Sequence, residues 1–200
     1  MSHNLKKATK FLLLIIFLPF TLIFVKNSLS ILIKIPGITY FFLGAGVYCF
    51  FYIFLDELKF LFEWNRKMVE KIFPFFHPFI KVAYFTIPFL VLLISTVQMF
   101  LKLQTKIVLD SALLILMGFF SALHIILSCS VLKPKKGTFL EINYLFNLTF
   151  IFLISSCIIL AALKPFFTLS IVNIFDITSS ELKTLLVALY TQLFIPHRQV

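Results

Sequence analysis

Residues 56–81 read DELKFLFEWNRKMVEKIFPFFHPFIK, the one long charged island in a chain otherwise built from apolar runs. It holds four of the eight acids (Asp56, Glu57, Glu63, Glu70) and five of the eighteen basic residues (Lys59, Arg66, Lys67, Lys71, Lys81). Lys59, Glu63, Arg66, Lys67 and Glu70 recur at steps of three and four, so they share one face of a helix. Lys59–Glu63, Glu63–Lys67 and Arg66–Glu70 are opposite charges one turn apart. Leu58, Leu61, Phe62, Met68, Val69 and Ile72 line much of the other side, with Trp64 at its edge. The pattern predicts an amphipathic helix over about 57–73, lying at a membrane surface. Pro74 and Pro78 end it.

Outward from the island the chain is hydrocarbon-like. It is 61% hydrophobic and 13% charged over 200 residues, with a mean hydropathy of +1.07. Soluble domains are about one quarter charged. Upstream, 38–55 is uncharged, about long enough to cross a bilayer. An apolar run over 11–33 precedes it, interrupted by Lys26, and Pro36-Gly37 closes that run. We read it as an uncleaved first helix rather than a signal peptide, because no Ala-x-Ala-like site follows. Downstream, 82–101 is a third span with Pro88 inside it. Asp110-Ser111 can cap a fourth at 111–132. The fifth is 142–163, where Asn147, Ser155 and Ser156 are candidate interhelical hydrogen-bond donors. Residues 166–175 are too short to span and read as interfacial or re-entrant. Thr178-Ser-Ser-Glu181 resembles a capping box that starts a last, peripheral helix. The expected fold is therefore a single all-α membrane domain with about five transmembrane helices, one interfacial helix and one peripheral C-terminal helix.

Small residues mark where helices can approach closely: Gly44-Ala45-Gly46 in the second span, and Gly118 with Ala122 in the fourth. Cys49, Cys129 and Cys157 each fall in an apolar span and form no CxxC pair, so they read as small buried hydrophobes. The net charge is +10, but the basic residues are scattered over short loops rather than gathered in a stripe. That argues for anionic lipid headgroups, not nucleic acid, as the partner. In a five-span arrangement the N-terminus, the island and 133–141 share eleven Lys and Arg, against seven on the other side. The positive-inside rule then places the N-terminus and the island in the cytoplasm.

Chemistry-bearing patterns are sparse. The four histidines are His3, His77, His124 and His197; none belongs to a His-Glu-x-x-His zinc motif. Gly-x-Ser-x-Gly and P-loop sequences are absent too. His124, near the middle of the fourth span, is the strongest single candidate, since an ionisable residue at that depth is expensive. A neutral imidazole bonded to a neighbouring backbone carbonyl or Ser is the competing, purely structural account. Binding candidates are His124, Asp110, His77 and Glu141. No cofactor or metal is expected.

Three stretches resemble small bacterial membrane proteins related to site-2-protease-like zinc metallopeptidases. They are Tyr40-Phe-Phe-Leu-Gly-Ala-Gly-Val-Tyr48, Pro78-Phe-Ile-Lys-Val-Ala-Tyr-Phe-Thr-Ile-Pro88, and Leu123-His124-Ile-Ile-Leu with Glu141-Ile-Asn-Tyr-Leu-Phe-Asn-Leu148 after it. Counting forward without gaps, the family's zinc motif falls on Asn65, Arg66 and Val69; another register places it on Asp56, Glu57 and Phe60. Neither supplies two ligands and a base. The resemblance implies a divergent member without the zinc site, in a bacterial inner (plasma) membrane; the leading reading is a non-catalytic multi-spanning protein that binds lipid, or a protein partner through 56–81. The alternatives are an intramembrane zinc hydrolase drawing on His77, His124 and Asp110 or Glu141, and a small transporter or transporter subunit.

Overall fold

The computed structural model describes residues 3–54, 59–72, 83, 85–104, 110–132 and 142–194. Among these residues the chain is all-α, with seven helices: α1 (His3–Leu32), α2 (Thr39–Phe54), α3 (Lys59–Ile72), α4 (Phe89–Gln104), α5 (Asp110–Leu132), α6 (Ile142–Ala162) and α7 (Ile171–Phe194). Three of them carry stretches long and apolar enough to cross a membrane: Ala8–Leu32, Asp110–Leu132 and Tyr144–Ala162. Thr39–Ile53 and Phe89–Lys102 are apolar but shorter.

The bundle consists of two principal pairs, α2 against α5 and α1 against α6, with α4 against α5, and α7 laid on α1. Close approach of α2 and α5 requires glycine. A Cβ on Gly44 would overlap the Ile115 carbonyl, and one on Gly118 would overlap the Phe41 carbonyl. The two small-residue patches seen in the sequence therefore meet each other, backbone against backbone. Gly46 faces open space and has no part in this contact. Gly37, at φ 86°, supplies the left-handed residue that the turn from α1 to α2 needs. Phe24, Phe41, Val91, Met117, Leu163 and Ile174 form the centre of the core.

The third apolar segment departs from the expected continuous span. Ile87 and Pro88 are not helical, and α4 starts only at Phe89. Pro88 has no N–H to continue the ladder. Beyond it, the Phe89 amide bonds to the Ile87 carbonyl at 2.9 Å instead of reaching back to Phe85.

The C-terminal helix also differs. It begins at Ile171, where the Ser170 hydroxyl accepts from the Asn173 amide at 3.4 Å, and it passes straight through 178–181. Thr178 is therefore mid-helix rather than a cap. It is fully buried, donates to the Ile174 carbonyl at 2.7 Å and accepts from Asn27 Nδ2 at 3.4 Å. Beside it, the Lys26 ammonium, six residues before the end of α1, pairs with Glu181 at 3.1 Å. Phe175 packs on Phe24 with ring centroids 5.0 Å apart. The segment before this helix, 163–170, is a series of tight turns that buries Leu169 in the core.

The charged island does form a helix, α3, and Arg66 Nε lies 3.7 Å from Glu70 Oε1. Its inward face is Asn65 and Val69, both buried, against α4 and α5. Phe60, Trp64 and Ile72 are exposed alongside Glu63, Lys67 and Glu70.

Candidate functional site

The break before Pro88 frees backbone acceptors deep in the bundle. The carbonyl of Phe85 would serve the Phe89 amide in an unbroken helix; here it takes two side chains of α5. His124 Nε2 lies 2.9 Å from it, which sets the tautomer with the proton on Nε2, and Ser128 Oγ donates to it at 3.3 Å. His124 and Ser128 are one turn apart on the same helical face. The next carbonyl, of Thr86, accepts from Ser155 Oγ of α6 at 3.2 Å. The Thr86 hydroxyl itself donates to the Ala83 carbonyl at 3.2 Å. An unpaired polar group in an apolar interior costs ~1–3 kcal/mol, so these side chains hold the broken segment in place.

Around this centre the packing is dry. Asn65, Pro88, Leu123 and His124 border a small enclosed void that has no room for a water. Asn65 is 2% exposed, and neither of its amide atoms has a hydrogen-bond partner among the described residues. Tyr48 is fully buried next to Leu123 and Leu127, its ring 5.2 Å from that of Phe119 in an edge contact, and its hydroxyl is likewise unpaired.

Asp110 lies elsewhere. It begins α5, fourteen residues or about 21 Å along the helix from His124. Its carboxylate accepts from Gln98 Nε2 of α4. It borders an open groove of about 660 Å³ with Pro36, Gly37, Tyr40, Phe166 and Phe167. His124 and Asp110 thus do not share a site. His77 and Glu141 lie outside the described residues, as do Asp56 and Glu57. Among the described residues no three His, Cys, Asp or Glu side chains come together.

Ser155, flagged in the sequence as a donor, bonds across helices; Asn147, flagged with it, is exposed. The sequence reading missed Ser128 and the burial of Asn65. For Ser128 the signal was present, a hydroxyl four residues after a buried histidine. Asn65 entered only as a position in the zinc-motif register, and nothing in the sequence marked its side chain as buried.

No family model, curated protein or solved structure matches the chain. The likeness to site-2-protease-like metallopeptidases finds no counterpart in these comparisons.

Proposed function

We propose that this chain is a non-catalytic, multi-spanning inner-membrane protein, a helical scaffold that engages lipid and docks a protein partner through α3. The observation that carries the reading is the use made of His124. Its Nε2 is committed to a backbone carbonyl that Ser128 shares, which is a structural assignment for the buried histidine of α5. The docking role rests on α3, which keeps Phe60, Trp64 and Ile72 exposed beside a charged stripe while anchoring itself through Asn65 and Val69. The inward placement of Asn65 and Val69, one turn apart and both buried, with Asn65 beside His124, also supports a divergent metallopeptidase-like scaffold in which those positions carry no zinc ligands.

The test is elemental analysis of the purified full chain beside His124→Gln, which retains a donor but is a poor zinc ligand. The scaffold reading expects less than stoichiometric zinc in both and unchanged folding. One zinc per chain that disappears in His124→Gln would replace the scaffold with a metal enzyme.

A further inference from the structure

A cleft of about 240 Å³ runs along the seam where the α1–α6 pair meets the α2–α5 pair. Its walls are almost wholly apolar, with Phe41, Phe42, Ile125 and Leu160 among them; Gly118 and Ala122 leave room on the α5 side. Leu29, 40% exposed, stands at its rim. Three serines, Ser28, Ser121 and Ser156, interrupt the apolar lining, and Ser28 donates back to the Phe24 carbonyl at 2.7 Å. Ser121 is 2% exposed, borders the cleft, and its hydroxyl has no hydrogen-bond partner among the described residues. An unfilled apolar cleft forfeits dispersion contacts along its lining, and an orphan hydroxyl adds a desolvation cost. One kind of occupant removes both penalties.

We propose that this cleft is a lipid-chain site. It takes one slim hydrocarbon chain from the surrounding bilayer, and an oxygen substituent part-way along that chain accepts a hydrogen bond from Ser121. The cleft is too narrow for a helix, and three of the four helices that wall it carry or adjoin apolar lengths suited to hydrocarbon. Ser121 lies eleven residues into α5, about 16 Å from its start. Ester carbonyls of ordinary phospholipids stay near the headgroups, so the matching oxygen belongs to the chain itself, as in a hydroxy or keto fatty acid. The proposal deepens the scaffold reading by naming its lipid site, and it rests on that reading for the bilayer around the cleft. The zinc measurement can fail without touching it.

The experiment is photolabelling of the full chain in phospholipid nanodiscs with a diazirine-bearing stearate, followed by peptide mapping. Labels are expected on the α5 and α6 segments that flank Ser121 and Ser156. Ser156→Phe fills the cleft and Leu29→Trp closes it from the exposed rim, so that one of the two remains informative if the other misfolds. Both should remove most of that labelling. Unlabelled 12-hydroxystearate should compete about fivefold better than stearate, the worth of one net hydrogen bond, and Ser121→Ala should abolish that advantage. Labelling spread evenly over exposed faces such as Leu12, Ile15 and Ile16, and indifferent to both blocking variants, would overturn the site. An advantage that survives Ser121→Ala, or no advantage at all, would overturn the role of the hydroxyl.

Discussion

His124 gives the Phe85 carbonyl a donor that Phe89 no longer supplies. Its replacement therefore separates hydrogen bonding from volume. His124→Ala loses the donor and leaves a void, and should destabilise the chain by about 2–4 kcal/mol, combining a buried-acceptor cost with a cavity. His124→Gln keeps an N–H of similar reach and should cost roughly 1 kcal/mol. Ser128→Ala should also be mild, because His124 remains on the same carbonyl; the two losses together should exceed their sum. Unfolding in mixed detergent micelles reads all four variants. Equal damage from Gln and Ala at 124 would show that the N–H to Phe85 contributes nothing. The sequence flagged the histidine and Ser155 but not the carbonyls they serve, because a freed carbonyl is a property of backbone geometry and has no residue type of its own. Pro88 was the available clue: it marked a missing donor, though not which side chains would answer for it.

Helices α2 and α5 were legible as apolar runs, and so was their means of contact, since Gly44 and Gly118 have few uses in a span other than close packing. Their mutual placement was not legible, because small residues announce a smooth surface without naming its partner. The structure joins them so tightly that the prediction is sharp. Gly118→Ala and Gly44→Ala each drive a methyl into a carbonyl of the facing helix and should cost about 1–3 kcal/mol or more, as overpacking does. Gly46→Ala, two residues away but facing open space, should be neutral or gain up to ~1 kcal/mol from helix propensity. The same micelle unfolding assay measures all three; equal effects at 44 and 46 would contradict the crossing. At the α7 start the sequence pattern misled for an identifiable reason. Thr178-x-x-Glu181 has the residues of a capping box, but Thr178 satisfies its hydroxyl by bonding back to Ile174 within the helix. Tertiary partners on α1, Asn27 and Lys26, fix Thr178 and Glu181 in roles that local spacing could not foretell.

At the scale of the molecule, the groove beside Asp110 has a topological consequence. It is bordered by Pro36 and Gly37 from the α1–α2 connection, by Asp110 and Ser111 at the start of α5, and by Phe166 and Phe167 from the α6–α7 connection. Two described turns and the start of α5, which an alternating five-span path would bring to one side, thus border one groove. Helices α2 and α4 have sixteen residues each, about 24 Å of rise against ~30 Å of hydrocarbon. Spanning by all five helices therefore requires the bilayer to thin locally, or the flanking segments to complete the crossing, around α2 and α4. With eleven lysines and arginines on the side of the island against seven, the positive-inside rule predicts that the island side faces the cytoplasm. Single cysteines in a chain whose Cys49, Cys129 and Cys157 have been replaced test both points at once. With a membrane-impermeant maleimide on bacterial spheroplasts, Lys34→Cys and Lys164→Cys, both exposed next to the grouped turns, should react directly. Lys67→Cys, on the outer face of α3, should react only after permeabilisation. The reverse pattern would invert the molecule while preserving the alternation. Lys34 and Lys164 reacting from opposite sides would break the alternation itself, since the groove requires their neighbours Pro36 and Phe166 to emerge together.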